Sequence, residues 1–157
     1  MKVKKVGIKD LRKLVNLEKK VFKENAFSKQ LMKKLIQSNF IFYKIETEGF
    51  FKKLIGFVII VKDRKDRANL INFLINPKHQ RKGYGSLLLG KTLELIKSNS
   101  NKIIQIVLNV SIHNLNAISL YKKFNFHIVK KIEDYYRNQE AAYLMKLDIR
   151  SENIKNL

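Results

Sequence analysis

The sequence predicts a single-domain α/β fold, a mixed sheet of about seven strands with about four helices. Three observations predict it. The chain has 157 residues, 45% of them hydrophobic, which suits one domain with a real core. Short runs rich in β-branched and aromatic residues alternate with runs of helical periodicity. No Pro/Gly/Ser-rich linker, internal repeat or low-complexity segment divides them.

The elements follow in the order β-α-α-β-β-β-α-β-α-β-β. "KVKKVGI" alternates as a first strand. Asp10 stands at an N-cap position ahead of "LRKLVNLEKKVF", where Leu11, Leu14, Val15, Val21 and Phe22 recur at helical spacing. Ser28 caps a second helix, "KQLMKKLIQS", with Leu31, Leu35 and Ile36 on one face. From "FIFYKIE" onward the composition turns β-branched and aromatic. "LIGFVIIV" reads as a buried strand, "KDRKDR" as a turn, and "NLINFLIN" as a strand ended by Pro77. "SLLLGKTLELIK" is a helix that the polar "SNSN" stops. "IIQIVLNV" is a strand, "NAISLYKKF" a short helix, and "HIVKKIEDYY" and "AAYLMKLDI" the last two strands. The domain therefore spans 1–149, with 150–157 as a C-terminal tail.

Composition removes several classes of function. Without cysteine there is no disulfide, thiolate metal ligand or cysteine nucleophile. His79, His113 and His127 lack ligand spacing, so no metal site is expected. No apolar run reaches the roughly 18–20 residues that cross a bilayer. The basic start "MKVKKVGIKD" lacks the apolar stretch of a secretory signal, so the expected location is cytoplasmic with no membrane association. The net charge of +20 suits an anionic partner such as RNA, a ribosome or a phosphate-rich cofactor. Lysines spread along the whole chain suit a plain solvated surface equally well. Nothing in the pattern fixes an oligomeric state.

The stretch "NPKHQRKGYGSLLLGKTLELI" holds the only proline and places Gly83 and Gly85 one residue apart where a helix starts. A strand, a glycine turn and a helix together make an anion site. The first amides of the helix are unpaired and its dipole is positive there. Glycine lets the backbone approach phosphate oxygens closely. The backbone amides from Arg81 to Ser86 would form the cradle, with Arg81 and Lys82 adding charge. The same glycines also suit a tight turn that serves packing. No Gly-Lys-Ser/Thr follows and there is no third spaced glycine, so neither a P-loop nor a dinucleotide fingerprint is present.

"QRKGYG" resembles the Q/R-x-x-G-x-G/A pyrophosphate signature of the GNAT acetyltransferases. "NVSIHNLNAISLYKKFNFHIV" resembles that family's strand–helix–strand with its "LYxxxGF"-type motif. Asn125 stands where glycine is usual, and asparagine tolerates positive φ best among the other residues. The resemblance implies the GNAT fold: a mostly antiparallel sheet whose two central parallel strands splay to admit acetyl-CoA. It implies that the backbone of Phe73, Leu74 and Ile75 pairs with the pantetheine arm. Gln80, Arg81, Lys82, Gly83, Tyr84, Gly85 and Ser86 would hold the pyrophosphate, and Asn114 would contact the arm. Tyr121 matches the general acid, whose alternative role is a core aromatic.

The position that carries a glutamate or histidine base in RimI-like members of the family is Asn109, and an amide cannot accept a proton near neutral pH. It is expected at most to position water. Asn69 and Asn72 supply no base, and Glu46 and Glu48 are remote candidates acting through water. "DYYRNQEAAYLM" resembles the tyrosine-pair segment of RimI-like N-terminal acetyltransferases, in which Tyr135 and Tyr136 would grip a peptide's first residues. Gln139 replaces a glycine of that segment. "ENAFSKQ" resembles the substrate loop, so Phe27 would touch the first side chain. The function this implies is acetyl transfer to protein N-termini by direct attack in a ternary complex. The alternatives are an acetyltransferase for lysine side chains or small amines, and a weakly catalytic basic acyl-CoA-binding protein docking on RNA or a ribosome.

Overall fold

A computed structural model describes residues 1–38, 41–99 and 102–149. Phe40, the end of the "SNSN" stretch and the expected tail lie outside them. The described chain forms seven strands and four α-helices. The strands are β1 (Lys2–Lys5), β2 (Ile41–Glu46), β3 (Leu54–Lys62), β4 (Arg67–Ile75), β5 (Gln105–Ser111), β6 (His127–Ile132) and β7 (Ala142–Asp148). The helices are α1 (Leu11–Phe22), α2 (Lys29–Gln37), α3 (Tyr84–Asn99) and α4 (Leu115–Lys123). The predicted order of elements holds throughout. The sheet runs β1-β2-β3-β4-β5-β7-β6.

The chain divides into two compact units. The first comprises Met1–Ile60 with Asn72–Leu93. In it β1 and β2 pair antiparallel from Lys2↔Glu46 to Lys5↔Tyr43, and β2 and β3 from Ile41↔Ile60 to Glu46↔Leu54. β3 is buried over six consecutive positions, Ile55 to Ile60, as expected of a strand covered on both faces. α1 buries Leu14, Val15, Leu17 and Glu18 and turns its lysines to solvent. The Ser28 hydroxyl caps α2, accepting from the Leu31 amide at 3.1 Å.

Asp10 precedes α1 as expected but makes no side-chain cap. Its carboxylate instead accepts from the Gly7 amide at 3.0 Å and from Lys44 Nζ at 2.8 Å. Lys44 is buried on β2, and a buried ammonium demands a counter-charge more strongly than a helix end demands a cap.

The second unit comprises Val61–Ile71 with the described residues from Glu94 onward. Here β4 and β5 run parallel from Arg67↔Gln105 to Leu70↔Leu108. β7 pairs antiparallel with β5 and with β6. The sheet is therefore mixed and mostly antiparallel, as predicted. β6 ends at Ile132 rather than running on to Tyr136. Left-handed backbone at Asp134 (φ 50) and Gln139 (φ 64) turns the chain instead, so Tyr135 and Tyr136 sit in a connection. Asn125, just after α4, has φ 64, the conformation for which asparagine is the best substitute for glycine.

Candidate active site

In the first unit the glycine turn follows β4. A single 3-10 turn, Pro77–His79, comes first, with the Asn76 side chain accepting from the Lys78 amide at 3.2 Å. The backbone then turns left-handed at Arg81 (φ 58) and Gly83 (φ 80) before α3 begins at Tyr84. Nothing lies within 4 Å of where a Cβ on Gly83 would sit. Glycine is there for the conformation and for an open approach to the backbone. The first helical bond runs from the Leu87 amide to the Gly83 carbonyl at 3.0 Å. Arg81, Lys82 and Gly83 are exposed. An anion with a diphosphate's charge fits this turn, because the sixteen-residue α3 adds its dipole to two exposed cations.

Gln80 takes a role the sequence reading did not foresee. Its Nε2 donates to the Ile75 carbonyl at 2.9 Å, bracing the end of β4 against the turn. The Asn76 amide donates to the Ile55 carbonyl at 2.8 Å, fixing the same strand end from β3. Phe73 is half-buried, while Leu74 and Ile75 are buried. Gly56 on β3 packs against them so closely that an added Cβ would lie 2.3 Å from the Leu74 carbonyl oxygen.

Phe27 also belongs to the first unit. Its amide donates to Glu18 Oε1 at 3.1 Å, and Glu18 in turn receives Asn72 Nδ2 at 3.0 Å on each carboxylate oxygen. Burial raises the pKa of Glu18, and the bonds from Phe27 and Asn72 partly oppose that. The sequence reading missed Glu18, although its spacing from Leu14 put it on the buried face of α1.

Glu46 is no base. Burial alone would raise its pKa, but hydrogen bonds and charge from Lys44 and Lys4 prevail and hold it down at about 2. The contacts are 2.8 Å to Lys44 and 2.9 Å to Lys4. Glu48 is exposed and lies 3.2 Å from the Met1 amino group.

In the second unit β5 is buried at Ile106, Val107, Leu108 and Val110, with Asn109 half-buried opposite Leu144 of β7. Asn109 Oδ1 is buried without a hydrogen-bond partner. Asn114 caps α4, its Oδ1 accepting from the Ala117 amide at 3.2 Å. Tyr121 on α4 is 5% exposed, with its ring centroid 5.7 Å from that of Phe126. Burial pushes the Tyr121 phenol well up from its usual value, and proximity to Tyr136 adds to this. Tyr135 and Tyr136 stack edge to face at 4.9 Å. Burial raises Tyr136 as well, with Tyr135 and Glu140 adding to it and a backbone hydrogen bond with Ser111 opposing it. Glu140 accepts from the Ser111 hydroxyl, tying the tyrosine connection to the end of β5.

In this unit burial therefore favours the protonated form of both Tyr121 and Tyr136. Among the described residues no His/Cys/Asp/Glu group could hold a metal, and no helix is long and apolar enough to cross a membrane.

The model of the family described as "Acetyltransferase (GNAT) family" matches residues 9–126. A protein of Sulfolobus acidocaldarius named N-alpha-acetyltransferase is 26% identical over 149 residues, 88% of this chain and 86% of that one. The "[Ribosomal protein bS18]-alanine N-acetyltransferase" of Salmonella typhimurium is 30% identical over 87 residues, 54% of this chain and 57% of that one. The fold matches the crystal structure of Arabidopsis thaliana NAA60 in complex with acetyl-CoA at a TM-score of 0.81. That match has 18% identity and covers 94% of this chain and 98% of the other.

Proposed function

The chain belongs to the GNAT family of acetyl-CoA-dependent N-acetyltransferases, and we propose that its acceptor is the α-amino group of protein N-termini. The domain doing this spans residues 1–149. The observation that supports the reading is the burial of Tyr121, 5% exposed on α4, in the same unit as the edge-to-face pair Tyr135–Tyr136. A proton donor and a peptide-gripping pair are what N-terminal transfer needs from that unit. Two relatives named for α-amino or alanine N-acetylation support the same acceptor.

Bound acetyl-CoA supplies the thioester. The chain's residues bind and orient it. The turn from Gln80 to Ser86 would hold the pyrophosphate through Arg81, Lys82 and the amides around Gly83, Tyr84 and Gly85. The strand backbone at Phe73, Leu74 and Ile75 would line the pantetheine arm, and Asn114 would contact it. Phe27 meets the first side chain of the peptide, and Tyr135 and Tyr136 grip its backbone. The neutral amine attacks directly, with no covalent link to the protein. As the new C–N bond forms and the C–S bond breaks, Tyr121 would give its proton to the departing thiolate. The proton shed by the acylated nitrogen would pass to solvent, from which the phenol is restored. Asn109 has an unmet acceptor and orients a water without deprotonating it.

A magnitude selects the acceptor. At pH 7 the neutral form costs roughly 1 kcal/mol for an α-amine and roughly 4.6 kcal/mol for a lysine. A site without a strong base tolerates the first far better.

The test uses peptides with free and blocked N-termini, reads released CoA thiol, and compares the wild type with Asn109→Glu across pH. Free N-termini are expected to react and blocked ones to remain inert. The carboxylate is expected to raise turnover about tenfold or more below the amine's pKa. Equal rates on blocked, lysine-bearing peptides would favour a lysine or small-amine acceptor. Steeply salt-dependent RNA binding without any transfer would favour a basic acyl-CoA-binding protein.

A further inference from the structure

One buried polar pair in the first unit has no part in the steps above. Alternation along β4 puts Asn72 on the buried face with Ala68, Leu70 and Leu74. Asn72 is 7% exposed and Glu18 1% exposed. Asn72 Nδ2 lies 3.0 Å from both Glu18 oxygens. Only the NH2 end of a carboxamide can meet two carboxylate oxygens, so the amide's orientation is fixed. Its oxygen is thereby turned from Glu18, and it is buried with no partner at all. A buried acceptor left unmet is costly, and native chains keep few of them without a reason. Asn72 also directly precedes Phe73, and the Phe27 amide is bound to the same Glu18 carboxylate at 3.1 Å.

We infer that Asn72 Oδ1 is a substrate-binding acceptor for the incoming α-amino group, and that Glu18 is the positioning residue that orients it. The inference rests on the α-amine reading above. An amine has two N–H donors besides the lone pair that attacks. Donating one to a neutral carboxamide turns the lone pair away from Asn72 and keeps the nitrogen from rotating. No proton is transferred, which suits a group that is not a base. Through its bond to the Phe27 amide, Glu18 sets the peptide's first side-chain contact and its amine contact together.

Glu18→Gln tests this with almost no change of shape. The introduced carboxamide can still accept from the Phe27 amide through its oxygen, so its NH2 end faces Asn72 and the Asn72 amide must flip. A donor then stands where the acceptor was. The expected result is a fall of about tenfold in kcat/KM for an N-terminal peptide, with acetyl-CoA affinity and Tm retained. Adding Asn72→Asp restores an outward acceptor. One oxygen of the new carboxylate takes the donor of the introduced carboxamide, and the other replaces Oδ1. Glu18→Gln/Asn72→Asp is expected to recover the lost activity, which a merely structural role would not produce.

Wild-type rates in Glu18→Gln would overturn the inference alone. A wild type that transfers to no α-amine would overturn the underlying reading and the inference with it. Should Glu18→Gln not fold, the double variant still decides. Activity at or above wild type supports the inference, and inactivity in a folded, acetyl-CoA-binding protein overturns it.

Discussion

Tyr121→Phe is expected to lower kcat by about 10²–10⁴-fold while leaving acetyl-CoA affinity nearly unchanged. The substitution removes one oxygen from a side chain that is 5% exposed, and the ring still packs on Phe126. Volume is conserved, so the fold should persist. What disappears is the proton for the departing thiolate. Because burial and Tyr136 raise the phenol's pKa, the wild-type acid stays protonated well into alkaline pH. The wild-type rate should therefore rise as the amine loses its proton and then stay level, without an early alkaline fall. Parallel loss of rate and cofactor binding would reassign Tyr121 to structure. Steady-state kinetics with calorimetry separates the two.

Gly56→Ala is expected to have the largest effect on stability. An added Cβ would sit 2.3 Å from the Leu74 carbonyl oxygen, 2.6 Å from Ile75 Cδ1 and 3.1 Å from Ile75 Cα. Two of these three neighbours are backbone and cannot rotate away. Forcing β3 and β4 apart should cost about 3 kcal/mol. For a chain of this length that lowers Tm by about 6–12 °C. The displaced strand is also where the pantetheine arm is proposed to bind, so acetyl-CoA affinity should fall in the folded fraction too. An unchanged Tm would mean that the strands are less closely packed than described. Thermal melts followed by circular dichroism give the answer.

The order of elements was legible in the sequence because it rests on periodicity, which is local. Ser28 as a cap and Asn125 in a left-handed turn were legible for the same reason. The glycine turn was read correctly as the entry to α3, since Gly83 has the positive φ that the residue choice implied.

What failed to show depends on partners distant in sequence. Asp10 lies 34 residues from the Lys44 that claims it, and Glu18 lies 54 residues from Asn72. No window of local pattern contains both members of either pair. A signal for Glu18 did exist. It falls four residues after Leu14 and four before Phe22, so a charge stood on the apolar face and needed a partner. The end of β6 was missed because "HIVKKIEDYY" looks extended by composition, while Asp134 and Gln139 turn left-handed against that preference. Gln139 stands in place of a glycine there and carries a backbone cost of about 1–2 kcal/mol.

The most direct measurement uses one peptide that carries both a free N-terminus and an internal lysine, incubated with acetyl-CoA at pH 7. Tandem mass spectrometry locates the acetyl group as a function of time. The difference in neutral fraction alone favours the α-amine by roughly 400-fold, and the account predicts acetylation there first and in large excess. Acetylation of the lysine at an equal or faster rate would contradict it.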